Sequence, residues 1–265
     1  MRIEREGPLV PSVVAVIPAR YHSSRFPGKP LAEIAGKPMI QHVFERAKEA
    51  RHVERVLVAT DDERIQEAVW AFDGEAVLTS KDCASGMDRV AEAVRDLSAD
   101  LVVNIQGDEP LISPQSIDAV LLPLIEDSEL PASTLASRIQ SEREFSDPNV
   151  VKVVFDHNHI ALYFSRSPLP HHRDAGESKG AGETPRGGRH KAGPAFKHIG
   201  LYVYRKEVLR ALCRLPPTPL EKIEGLEQLR ALESGYKMRV VETDQEAVGV
   251  DIPEDIARVE AVLRG

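Results

Sequence analysis

The sequence predicts an α/β fold, a mostly parallel central sheet with helices on both faces. Three observations carry that expectation. β-type runs recur at Val13-Val-Ala-Val-Ile17, which is purely apolar, and at Arg55-Val-Leu-Val-Ala59 and Leu101-Val-Val-Asn-Ile105, which are nearly so. Apolar residues at helical spacing fill the intervals between these runs. The connections are short. Strands buried on both faces read as continuous apolar runs, and strand–helix alternation marks a parallel sheet covered by helices.

The elements follow in order. The first strand ends at Pro18 and delivers an irregular segment with Arg20, Arg25, Lys29 and the loop-favouring pair Pro27-Gly28. Pro38 then opens a helix whose positions Met39, Ile40, Val43, Phe44 and Ala47 keep the helical spacing. After the strand at 55–59, Asp61 is the expected cap of a helix carrying Ile65, Ala68, Val69 and Phe72. Residues 75–78 form a short third strand. Val90, Ala93, Val94 and Leu97 mark a helix before the strand at 101–105.

The second half changes character. Val151-Lys-Val-Val-Phe155 and Gly200-Leu-Tyr-Val-Tyr204 are strand-like. Between them, residues 174–194 hold six glycines, two prolines and no large apolar side chain. Such a stretch cannot bury enough surface to offset its ordering entropy, so a flexible surface excursion, a lid, is expected there. One helix is expected from about 219 to 234, stopped by Gly235, then a strand at 238–241. A last helix starts at Pro253, a good first-turn residue, and carries Ile256, Val259 and Leu263.

Composition narrows the function. The 265 residues suit one domain spanning 1–265, long enough for a substantial core. Thirty-four basic against 42 acidic side chains give a net charge of −8, which argues against a nucleic-acid or anionic-membrane binder. Cys83 and Cys213 lie too far apart for a metal knuckle and do not form a disulfide framework, so a reducing compartment is expected. The apolar run at 9–19 is broken by Pro11 and Pro18 and is too short to span a bilayer. Arg2, Glu4, Arg5 and Glu6 before it are unlike a signal peptide, and a cytoplasmic protein is expected.

Against that acidic background, residues 13–31 carry three cations and no anion. Two guanidinium forks and one ammonium at the end of a buried strand suit a triphosphate; solvated loop cations are the alternative. Asn104-Ile-Gln-Gly-Asp-Glu-Pro110 also follows a buried strand, which places Gln106, Asp108 and Glu109 on the same rim. A carboxylate there can hold a hard divalent cation bridging phosphate oxygens. Asp251, after Val248-Gly-Val250, is a second candidate ligand, with a helix cap as the competing reading. Ser85-Gly86, before a helix at Met87, offers backbone N–H groups to a base edge or a phosphate. The nine histidines form no zinc set, no nucleophile–histidine arrangement stands out, and the Walker pattern is absent.

The sequence resembles the 3-deoxy-manno-octulosonate cytidylyltransferases (CMP-Kdo synthetases). The likeness rests on Ile17-Pro-Ala-Arg-Tyr-His-Ser-Ser-Arg-Phe-Pro-Gly-Lys-Pro-Leu31, Gly36-Lys-Pro-Met39, Val58-Ala-Thr-Asp61, Ser85-Gly86 and Val103-Asn-Ile-Gln-Gly-Asp-Glu-Pro110. It continues through Val151-Lys-Val-Val154, Ala161-Leu-Tyr-Phe-Ser-Arg166, His198-Ile-Gly-Leu-Tyr202, Pro219-Leu-Glu221, Glu227-Gln-Leu-Arg230 and Gly249-Val-Asp251. The resemblance implies a Rossmann-like nucleotidyltransferase with a smaller sugar-side and dimerisation subregion, acting as a homodimer. The implied reaction turns CTP and Kdo into CMP-Kdo, a lipopolysaccharide precursor, and pyrophosphate. It further implies Lys29, Asp108, Asp251 and Arg20 as catalytic, and Mg2+ on Asp108 and Asp251. The nucleotide would meet Pro18, Ala19, Arg20, Arg25, Lys29, Ser85, Gly86 and Gln106. The sugar would meet Gln106, Arg166, His198, Glu221 and Gln228.

Three departures mark this chain. Ser80 and Cys83 stand where many members have Arg and His, Gly86-Met-Asp-Arg89 replaces Gly-Thr-Glu-Arg, and the 174–194 excursion is longer. They bear on the sugar: Kdo, its 8-amino analogue or a sialic-type acid. A catalytically silent nucleotide-binding protein is the alternative from another class.

Overall fold

β1 (Val13–Ala19) sits at the centre of the molecule because it is apolar on both faces. Val13, Ala15 and Ile17 enter one core layer, and Val14 and Val16 the other, as the two-residue period of a strand requires. The computed structural model describes residues 11–22, 26–171, 194–245 and 248–264.

After β1 come a small hairpin, β2 (Glu33–Ile34) and β3 (Lys37–Pro38), then α1 (Met39–Lys48), β4 (Arg55–Thr60), α2 (Glu63–Ala71) and β5 (Ala76–Leu78). Next are α3 (Gly86–Ala93), β6 (Leu101–Ile105), α4 (Pro114–Glu126), β7 (Ala132–Arg138), α5 (Glu142–Ser146), β8 (Lys152–Phe155) and β9 (Ala161–Ser165). The chain closes with β10 (Phe196–Arg205), α6 (Lys206–Arg214), α7 (Pro219–Glu224), α8 (Leu229–Glu233), β11 (Met238–Glu242) and α9 (Asp255–Arg264).

The main sheet runs β11-β7-β10-β6-β1-β4-β5. β6, β1, β4 and β5 are mutually parallel, as are β7 and β11. β10 is antiparallel to both β6 and β7 and joins the two parallel blocks. The β8–β9 hairpin hangs from the start of β10. Side chains of α1, α2 and α4 fill one layer (Ile40, Phe44, Ile65, Val69, Val120, Leu121). Those of α3, α6 and α8 fill the other (Met87, Val90, Leu209, Leu212, Leu229). The expected mostly parallel sheet with helices on both faces is therefore present.

Three expectations need correction, and a fourth is not tested. The cap of α2 is Asp62, whose carboxylate accepts from the Arg64 N–H; Asp61 instead pairs with buried Arg89 at 2.8 Å. The helix expected at 219–234 is two helices, because Gly225 turns left-handed (φ 64°) and ends α7. α9 begins at Asp255 rather than Pro253, with the Asp255 carboxylate accepting from the N–H groups of Asp251 and Ile252. The excursion at 174–194 lies, but for Pro194, outside the described residues.

Candidate active site

The site forms where β1 and β6 end. Gly28 has φ 72°, a conformation that glycine adopts without strain, and its N–H returns to the Tyr21 carbonyl at 2.8 Å. That turn sends Lys29 inward. Its Nζ donates to Asp108 Oδ2 at 2.6 Å and to the Val250 carbonyl at 2.9 Å, and lies 3.9 Å from Asp251 Oδ1. Two carboxylates far apart in sequence thus meet one ammonium. The Asp251 main-chain N–H, rather than its carboxylate, takes part in the α9 cap, so the cap reading of its side chain fails.

A cavity of about 780 Å³ opens beside this cluster. Gly86, Gln106, Asp108, Asp251, Arg166, His198 and Gln228 all line it. Seven of the expected site residues therefore face one space. Asn104 and Gln228 are almost fully buried, yet Asn104 Oδ1 and Gln228 Nε2 have no protein partner among the described residues. Buried polar atoms are costly when left unpaired, and both residues line the cavity.

The segment after β1 is tied to the segment after β5. Arg20 donates to the Cys83 carbonyl at 3.1 Å. The Glu92 carboxylate accepts from the Ser80 N–H at 3.0 Å and from the Cys83 thiol at 3.1 Å. Burial, helped by the Glu92 carboxylate, pushes that thiol up to about 11. Ser85 caps α3 by accepting from the Asp88 N–H. Pro18 lies beside Gly86, 3.8 Å from where a side chain there would begin, and buried Ala19 follows it in β1. Arg25 lies outside the described residues.

Around His198, burial and the ring packing of Phe164 and Tyr202 dominate. His198 bonds Thr134 Oγ1 through Nε2 at 2.9 Å, edge-on to Phe164 and tilted against Tyr202. Burial lowers its pKa to about 3. It is neutral, and its contact with Thr134 is an ordinary hydrogen bond. Arg166 lines the cavity as well, its Nε donating to the Glu224 carbonyl at 2.8 Å and one terminal nitrogen to the Pro148 carbonyl at 3.1 Å.

Glu221 does not reach the cavity. It is 7% exposed and is gripped by both nitrogens of an Arg230 fork, one at 2.8 Å, while closing the capping box with Thr218. The Gly225 break also puts Glu221 and Gln228, which one helix at 219–234 would carry together, on separate segments. Glu227, one residue before Gln228, lines the cavity instead and accepts from the Met87 N–H at the start of α3. No periodicity in the sequence points to Glu227. Tyr202 was accessible to reasoning, because alternation along β10 from His198 leads through Gly200 to Tyr202 on the same cavity face. Glu109 also lines the cavity; burial, with the Asp108 charge adding, pushes its carboxyl up to about 8.

Among the described residues no set of three or more His, Cys, Asp or Glu is arranged to hold a metal. Asp108 and Asp251 are nevertheless two hard oxygen donors facing one point already favourable to a cation. Magnesium commonly takes one or two carboxylates and completes its shell with phosphate oxygens and water, so the pair fits it.

The family model described as "Cytidylyltransferase" matches residues 14–243. The 3-deoxy-manno-octulosonate cytidylyltransferase of Syntrophotalea carbinolica is 54% identical over 96% of this chain and 99% of its own. That of Geobacter metallireducens is 53% identical over 93% and 96%. The solved structure of CMP:2-keto-3-deoxy-manno-octonic acid synthetase complexed with CTP superposes with a TM-score of 0.86 at 43% identity, covering 96% of this chain and 98% of that one.

Proposed function

Because the chain belongs to the cytidylyltransferase family, we propose that it transfers the cytidylyl group of CTP to Kdo, giving CMP-Kdo and pyrophosphate. The observation that carries this reading is one cavity lined by the two carboxylates that meet Lys29, those of Asp108 and Asp251, together with Arg166, His198 and Gln228.

Arg20 and Lys29, with Arg25 from the same loop, hold the triphosphate, Arg through its fork and Lys as a point charge. Pro18, Ala19, Ser85 and Gly86 border the nucleotide. Asp108 and Asp251 hold Mg2+, which when bound neutralises phosphate charge and lowers the proton affinity of the attacking hydroxyl. Gln106 borders the same cavity. Arg166 pairs with the acid sugar's carboxylate, while Gln228 and neutral His198 hydrogen-bond its hydroxyls. The bond formed joins the anomeric oxygen to the α-phosphorus, and the bond broken releases pyrophosphate. Positioning and charge stabilisation are what phosphoryl-type transfer requires of a protein.

The assembly is a homodimer. Leu162 and Ile223, 60% and 78% exposed beside the β9–α7 contact, are the apolar side chains such an interface covers. No helix among the described residues is long and apolar enough to cross a membrane; the use of CTP places the reaction in the cytoplasm.

Incubation with CTP, Mg2+ and a panel of 2-keto-3-deoxy acid sugars, with products identified by mass, tests the reading. CMP-Kdo and one pyrophosphate per turnover are expected. Preference for the 8-amino analogue or a sialic acid reassigns the sugar, and CTP binding without pyrophosphate release with any sugar overturns the enzyme.

A further inference from the structure

Lys152 opens β8 with its side chain wholly buried, a rare place for an ammonium. Its Nζ donates to three main-chain carbonyls: Asp147 at 2.9 Å, Val150 at 2.6 Å and Arg166 at 2.8 Å. An ammonium has three N–H donors, so the backbone saturates it. The carbonyls come from two segments, the loop entering β8 and the residue that follows β9.

Both segments border the cavity through Asn149, Val150 and Arg166. The Arg166 side chain leans on the same loop, at the Pro148 carbonyl, while its main-chain N–H donates to Glu224 Oε2 at 2.9 Å. Arg166 is thus fixed on its N–H side by Glu224, on its carbonyl side by Lys152, and at its fork by a loop that Lys152 also clasps. A methionine would fill the same volume without desolvating a charge. What the ammonium adds is the geometry of the carbonyls it gathers.

We propose that Lys152 is a positioning residue for the acceptor half of the site, fixing the Arg166 guanidinium where it meets the sugar's carboxylate. The inference rests on the reading of Arg166 given above. The carboxylate of a 2-keto acid sugar is the group whose recognition Lys152 governs; the nucleotide lies against other segments.

Steady-state kinetics with each substrate varied in turn, on Lys152→Met, Arg166→Ala and the double variant, test it. Lys152→Met is expected to raise KM for Kdo about tenfold or more and to leave KM for CTP within about twofold. The double variant should lose no more than Arg166→Ala alone, the non-additivity expected of residues acting as one unit. An Arg166→Ala variant with normal KM for Kdo defeats the sugar-facing reading of Arg166, and Lys152 with it. A normal Arg166→Ala defect beside an unaffected Lys152→Met, or losses that simply multiply, overturns the positioning role alone. If Lys152→Met does not fold, Lys152→Gln, which keeps two donors, carries the same comparison. Failure of both to fold makes Lys152 a stability residue and overturns the inference.

Discussion

At the scale of single residues, the site depends on which charges are kept and which are suppressed. Lys29 is only 15% exposed and is surrounded by Asp108, the Val250 carbonyl and Asp251. Asp251→Asn is expected to fold normally and to lose at least about a hundredfold in turnover, roughly 2.7 kcal/mol of transition-state stabilisation. Turnover close to normal at saturating magnesium would remove Asp251 from the metal site. His198 shows the opposite treatment. Its pKa is depressed from 6.5 to about 3 by burial, so the folded state favours the neutral ring. The stability tied to it is complete above the unfolded value and is lost as pH falls from there toward about 3. The ring resonances of His198, assigned as those missing from His198→Gln, should stay flat between about pH 5 and 8, the range where an ordinary imidazole titrates; an inflection there would show the ring to be charged in the site.

At the scale of elements, α7 and α8 show how a structural ion pair imitates a ligand contact. Glu221 and Arg230 are 9% and 5% exposed at their side chains and close a fork across the Gly225 turn. Burial alone would raise the Glu221 carboxyl, but the Arg230 fork and the Thr218 N–H hold it below the usual carboxylate range. A depressed carboxylate contributes stability above its unfolded pKa and loses it as pH falls through the folded value. Glu221→Gln leaves the guanidinium uncompensated and should cost about 3–5 kcal/mol, read as a lower unfolding temperature with KM for Kdo little changed. A large KM effect at unchanged stability would return Glu221 to the sugar site. From sequence, a helix-length run of good formers conceals the left-handed turn that one glycine makes. Capping chemistry was misread by one residue at Asp61, where two aspartates adjoin, and Ser85, read as leaving N–H groups open at the helix start, itself caps one of them.

At the scale of the molecule, β1, β4 and β6 were legible because burial on both faces leaves an unbroken apolar run. β7, Ala-Ser-Thr-Leu-Ala-Ser-Arg, was not: it is buried through small and hydroxylated residues, among them Ser133 bonding the Val120 carbonyl. The rim carrying Lys29 and Asp108 could be inferred because the segments that bear them follow buried strands, whereas residues 248–250 before Asp251 form no strand. The part of the site around Arg166 and His198 depends on a strand reversal and a buried lysine that no local pattern announces. The quaternary proposal belongs here as well. Leu162→Asp should convert a two-chain species in sedimentation to single chains while leaving the monomer's circular dichroism intact; an unchanged mass would place the interface elsewhere.

The reversed course of β10 also bears on synthesis. β1, β4, β5 and β6 pair using only the first 105 residues, but the far edge of β6 stays open until residues 201–205 arrive to pair with it. That edge is Leu-Val-Val-Asn-Ile, apolar and unprotected, the kind of template on which nascent chains aggregate. A ribosome therefore completes the β6–β1–β4–β5 block well before the strand that covers it, and for about a hundred residues of elongation that edge of β6 is open to a neighbour's strand. A fragment ending after α4 should be insoluble, and a peptide spanning β10 supplied in trans should rescue it.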